Sequence, residues 1–239
     1  MKLVQFVLAT VMFVITLAGG RPVHAKEIQT NSVHMPDAPA WVTTVRVEKI
    51  IDHIQQYLEW DIRRIQVYWH KDQAEFEKFH GLGPTVLAIS KRDDNTIHLG
   101  PRIVDANFDQ VFGHELVHII SFQKYKKAIP LWLEEGLANY IAKAGTVDYA
   151  RLASQPVPSD VRQMTHPFGG TEEHIHYHYM ASQALVEMIA KKCDLSNLLR
   201  LSVGKDMDRY LGTYCEIPDL NAAFKKWIQT HAPAGVTIK

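Results

Sequence analysis

The stretch Gly113-His114-Glu115-Leu116-Val117-His118 constrains this chain more than any other. It lies inside an apolar run, from Val111-Phe112 to Ile119-Ile120, that reads as a buried helix. At about 100° per residue, positions four apart share a helix face, so His114 and His118 point the same way. Two imidazoles on one face can supply two of the three protein ligands of a catalytic zinc, with Glu115 beside them as a general base for an attacking water. The chain contains 13 histidines, so a chance pair competes with this reading and the motif alone does not decide it.

A second stretch adds to it. Pro130-Leu131-Trp132-Leu133-Glu134-Glu135-Gly136-Leu137-Ala138-Asn139-Tyr140 also has helical character, with Pro130 at or near its first position and Gly145 as its stop. Helix, connection from Lys124 to Ile129, then helix is a layout that returns a carboxylate to two histidines. A His2Glu set with an open fourth position is a known catalytic zinc arrangement. Asn139 lies one helical turn after Glu135, where it could orient a ligand histidine.

Together, HELVH at 114–118 and WLEEGLANY at 132–140 resemble the gluzincin metallopeptidases, specifically the small peptidase MA-like group and, more distantly, the zinc aminopeptidases. The resemblance extends less specifically from Ile65 to Trp227. It implies an α+β, gluzincin-like (minimal thermolysin-like) catalytic domain with a small β-containing N-terminal lobe and a helical C-terminal lobe. It also implies one Zn2+ per chain held by His114, His118 and Glu135, the Glu before Gly being the family's third ligand. Glu134 stands where the aminopeptidases often carry Asn, and is expected to face substrate or solvent. The implied activity is hydrolysis of peptide or protein substrates. No Gly-x-Met-x-Asn motif precedes the zinc helix to hold a free amine, which favours endopeptidase action. The rival reading is a catalytically inactive zinc-binding or peptide-binding module on a peptidase fold, and the presence of Glu115 weighs against it.

The N-terminus reads as a targeting segment. Lys2, the apolar stretch Leu3–Ala18 and the ending Val23-His24-Ala25 fit a secretory signal peptide over 1–25, with an uncleaved anchor as the alternative. The expected location is periplasmic or extracellular, with no stable membrane insertion after cleavage. Export makes Cys193 and Cys215 free to pair as a disulfide. With 26 basic and 26 acidic side chains, nothing argues for nucleic acid as a partner, and nothing in the sequence fixes an oligomeric state.

Residues 26–44, with Pro36 and Pro39, read as a linker or extended arm ahead of a single domain over 45–239. Helical spacing starts at Val45, and Ile65–Trp69 alternates as a strand. Asp72 followed by Glu75 opens a short helix. Thr85–Ser90 and Thr96–Leu99 flank an Asp93-Asp94-Asn95 turn as two strands. The family resemblance casts the last of these as an edge that pairs with substrate, through Asn95, Thr96, Ile97, His98, Leu99 and Gly100. Asp105 or Asn107 is the expected cap of the zinc helix. Residues 145–170 read as a surface connector. His174, His176 and His178 lack a matching carboxylate cluster for a second metal. The stretch Tyr179-Met180-Ala181-Ser182 resembles the family's helix opening after the active site, which makes Tyr179 the expected oxyanion donor, with His178 and His176 behind it. The remainder reads as helices over 195–202, 206–211 and 218–230.

Overall fold

A computed structural model of the chain describes residues 26–58, 61–143, 145–164 and 171–235. The expected signal peptide and the Pro167–Gly170 part of the connector lie outside these residues. The N-terminal half is built on one mixed sheet of β1 (Lys26–Gln29), β2 (Val33–Ala38), β3 (Ile65–Trp69), β4 (Ala88–Lys91) and β5 (Thr96–Leu99). Its order is β1-β2-β3-β5-β4, antiparallel at both ends and parallel through the centre.

The expected linker is therefore a hairpin. Thr30 Oγ1 accepts the Ser32 and Val33 amides to form its turn, and Ile28, Val33, Met35 and Ala38 enter the core. Pro36 conceals this strand in the sequence, because proline removes a ladder donor. Here it falls past the short pairing of β2 with β3, which uses only Val33 and His34, and within a register shift against β1. A bulge accommodates the missing amide.

The sheet has two differently covered faces. Val67, Ile97 and Leu99 are buried in the core, to which α1 (Thr44–Leu58) and α3 (Phe108–Tyr125) contribute Val47, Ile51, Phe112 and Leu116. On the alternate positions, His98 meets Phe79 of α2 (Gln73–His80), with ring centroids 4.3 Å apart. Helix α2 starts where the sequence suggests, with Asp72 accepting the Glu75 amide at 2.8 Å. The cap of α3 differs from expectation. Asn107 sits at the cap position, but its Oδ1 accepts from Val104, while Asp105 and Asp109 are held by Arg46 of α1. Helix α3 thus begins without a side-chain cap, its flanking carboxylates engaged by Arg46.

Strand β5 pairs with β3 on one side and β4 on the other, so Asn95–Gly100 offers no open edge. The outer strands are β1 and β4, so the strand expected at the edge, with Asn95, Thr96, Ile97, His98, Leu99 and Gly100, is an inner one. The last strand in sequence inserts beside β3, and local alternation carries no information on that order.

The helical half contains α4 (Leu131–Ile141), α5 (Tyr149–Ser154), a 3-10 turn at Val161–Gln163, α6 (Glu172–Ala190), α7 (Leu195–Ser202), α8 (Met207–Thr213) and α9 (Leu220–His231). Asp148, Thr171, Asp194, Asp206 and Asp219 each accept a first-turn amide and fix where their helices begin. Thr171 moves the start of α6 to Glu172, so Tyr179 lies within the helix and not at its opening. Cys193, after α6, is disulfide-bonded to Cys215, after α8. Helices α4 and α6 meet backbone to backbone at Gly136, where a Cβ would stand 2.3 Å from Ser182 O and 2.6 Å from Val186 Cγ2. A mixed sheet followed by a mostly helical half bears out the α+β, minimal thermolysin-like expectation.

Candidate metal centre

Helix α3 presents His114 and His118 one turn apart, and α4 returns to set Glu135 against both. The two Nε2 atoms are 3.0 Å apart. Glu135 Oε2 lies 3.6 Å from His114 Nε2, and Glu135 Oε1 lies 3.5 Å from His118 Nε2. Among the described residues, no other group of three His, Cys, Asp or Glu side chains converges in this way.

The outer nitrogens determine what the inner ones offer. His114 Nδ1 is 2.9 Å from Asn139 Oδ1, whose amide nitrogen is turned to Tyr179 O at 3.3 Å. His118 Nδ1 is 3.0 Å from Glu134 Oε1, and an ionised carboxylate can only accept. Both Nδ1 atoms therefore donate, and in the neutral imidazoles both Nε2 lone pairs converge with the Glu135 carboxylate. Glu135 Oε2 is buried with no hydrogen-bond partner. Such a set calls for a cation. Burial opposes a charged imidazole, yet the Glu135 and Glu134 carboxylates raise the His118 pKa to about 9, which shows how strongly their charge favours a cation here. Tetrahedral zinc with bonds of about 2.0–2.1 Å separates its ligand atoms by about 3.3 Å, close to the spacing here. One Zn2+ per chain fits these three residues.

Glu134 corrects the sequence reading. It is only 5% exposed and is turned toward the His118 ring and away from solvent. Besides holding His118, it accepts from Arg92 Nη1 at Oε2, 3.1 Å away, and the same nitrogen stands 3.0 Å from Oε1. Its burial favours the neutral acid, but His118 and Arg92 outweigh that and hold it below the usual carboxylate range. Neighbouring helix positions differ by about 100°, which sends Glu135 to the centre of the cluster and Glu134 to the flank of the His118 ring.

Glu115 is also buried, and burial raises its pKa. The opposing pull comes from His118, from Ser90 of β4, which hydrogen-bonds it through side chain and backbone, and from Arg92. Neither Ser90 nor Arg92 is legible as a site residue in the sequence, since one sits in a short strand and the other opens a turn.

Of the three oxyanion candidates, Tyr179 reaches the centre, its ring 6.2 Å from that of His114. Burial, with Glu135 and Glu115 adding to it, pushes its phenol above the ordinary value and keeps the proton on. His178 packs on His174, with centroids 4.3 Å apart, and His176 is exposed.

The chain matches no model of a known protein family, and no curated protein matches it. The His114-Glu115-x-x-His118…Glu135 cluster itself matches the gluzincin HExxH…E zinc-peptidase arrangement.

Proposed function

We propose that this protein is an exported zinc-dependent peptidase that hydrolyses peptide or protein substrates as an endopeptidase. The observation that carries the reading is the convergence of two Nε2 lone pairs and the Glu135 carboxylate beside a buried glutamate that is not itself a ligand. Zinc held there supplies a Lewis acid for the scissile carbonyl and makes water a nucleophile at neutral pH.

The chain's own residues supply the rest. Glu115 takes a proton from the attacking water and delivers it to the leaving amine, a role that suits a carboxylate whose pKa is raised by burial. The protonated phenol of Tyr179 supports a hydrogen bond to the developing oxyanion. The open edge of β4, next to Ser90 and Glu115, supports docking of an extended peptide by strand addition. Asn139 and Glu134 hold the histidine rings in the tautomer that leaves Nε2 for the metal. Location outside the cytosol rests on the segment 1–25, and no helix among the described residues is long and apolar enough to cross a membrane.

The test is Glu115→Gln. It keeps zinc, measured by metal analysis, and loses cleavage of a peptide library that the wild type digests and a chelator blocks. A wild type that binds zinc but cleaves nothing would favour the binding-module reading.

A further inference from the structure

Arg92 belongs to no motif and touches none of the three ligand side chains by a direct contact in the cluster, yet it completes a chain that ends on one of them. Its Nη1 reaches both oxygens of Glu134, and Glu134 Oε1 in turn accepts from His118 Nδ1 at 3.0 Å. Resting on the zinc reading above, we propose that Arg92 is a positioning residue for the metal centre. It holds the Glu134 carboxylate in the orientation that presents His118 Nε2 to the cation.

Three observations carry this. Glu134 is buried, and a buried carboxylate without a compensating cation is costly. A single guanidinium nitrogen, Nη1, donates to Oε2 at 3.1 Å and stands 3.0 Å from Oε1, so it balances the carboxylate's charge and favours the direction in which it faces. Arg92 is itself held in place. It opens the Arg92–Asn95 turn between β4 and β5, where Asn95 takes a left-handed φ of 52°. The Asn95 side chain accepts from Gln123 Nε2 at 3.0 Å, and Gln123 lies on α3, the helix that carries His118. The turn that presents Arg92 is thus fastened to the helix whose ligand it serves. It also follows directly on β4, an outer strand of the sheet.

The expected effect of Arg92→Ala is a loss of zinc affinity of about 10-fold, the lower end of the scale for removing a ligand's partner, since Arg92 acts through Glu134. It would be read by competition against a chromophoric chelator, with the visible spectrum of the cobalt-substituted protein reporting the ligand geometry. Arg92→Lys should recover part of the affinity, because an ammonium restores the charge beside Glu134 but not the fixed direction of the guanidinium. Glu134→Gln provides the second background. If Arg92 acts through Glu134, adding Arg92→Ala to Glu134→Gln lowers zinc affinity little further.

Unchanged affinity in Arg92→Ala, or a full additional loss in the Glu134→Gln background, overturns the proposal while leaving the peptidase reading intact. A cobalt spectrum and affinity that follow only a lowered melting temperature of the metal-free protein also overturn it. A wild type that binds no zinc removes both readings.

Discussion

Acidification should destabilise this protein through a histidine that is not part of the metal cluster. His98 of β5 is 9% exposed, stacked on Tyr68 at 5.2 Å and covered by Phe79 of α2 at 4.3 Å. Its Nδ1 lies 3.1 Å from His70 Nε2 and its Nε2 lies 3.2 Å from Thr96 Oγ1. Burial, reinforced by His70 and Lys91, lowers its pKa from 6.5 to about 4. Between these values the unfolded chain binds a proton that the folded chain refuses. The contribution is complete above pH 6.5 and is lost as pH falls toward 4. At about 1.4 kcal/mol per pH unit the full loss is at most about 3 kcal/mol, and residual solvent contact reduces it to about 2 kcal/mol. Urea unfolding of the wild type and of His98→Phe, at steps between pH 7 and pH 4, measures it. Phenylalanine keeps the aromatic packing and cannot titrate, so the variant should have the shallower acid limb despite a lower stability at pH 7. Acid release of metal affects both proteins alike and cancels in the difference. Parallel curves would refute the assignment to His98.

The remaining expectations concern the helix pair that forms the centre. Gly136→Ala places a methyl 2.3 Å from Ser182 O and must separate α4 from α6, costing about 3 kcal/mol in urea unfolding; a change under about 1 kcal/mol would mean that the contact relaxes freely. Glu135→Ala should lower zinc affinity by orders of magnitude, whereas Glu134→Ala should cost about 10–100-fold, since it removes a partner of His118 and not a ligand. Zinc titration of both proteins at matched folding separates the roles, and equal losses would mean that the two carboxylates share the metal.

The metal cluster was legible because its spacing is a property of the helix itself. His114 and His118 need only a helical period to share a face, and the second motif restores a carboxylate to that face. Local spacing was weaker on Glu134 and Glu135. Both neighbours can approach the histidines, and the glycine after Glu135 is a packing requirement against α6 as much as a mark of the ligand. The fate of Glu134 depended on Arg92, 42 positions away in the chain, and no periodicity reports such a pairing. The same limit applies to the sheet. Thr96–Leu99 was readable as a strand, but its place between β3 and β4 is set by long-range pairing. At β2 the local signal was misleading, since Pro36 argues against a strand unless the bulge that absorbs it is known. At α6 the apolar pattern is diluted by His174, His176 and His178, and Thr171 alone marks the true start.

The centre owes its order to α4 more than to any loop. Glu135 supplies the third ligand, Glu134 orients His118 and Asn139 orients His114, and all three are buried on that one helix. The helix spans only Leu131–Ile141, so it carries both orienting groups and a ligand within three turns. A slip of one residue along α4 would rotate every one of these groups by about 100° and dismantle the ligand and both tautomer locks together. Gly136 resists that slip from the flank of α4 that meets α6, where backbone contact with Ser182 admits no side chain. Asn139 adds a polar restraint by donating to the Tyr179 carbonyl, which ties the orientation of a ligand histidine to the helix that carries the candidate oxyanion donor. Packing α4 between α3 and α6 therefore builds ligand geometry, tautomer choice and the placement of Tyr179 in a single step.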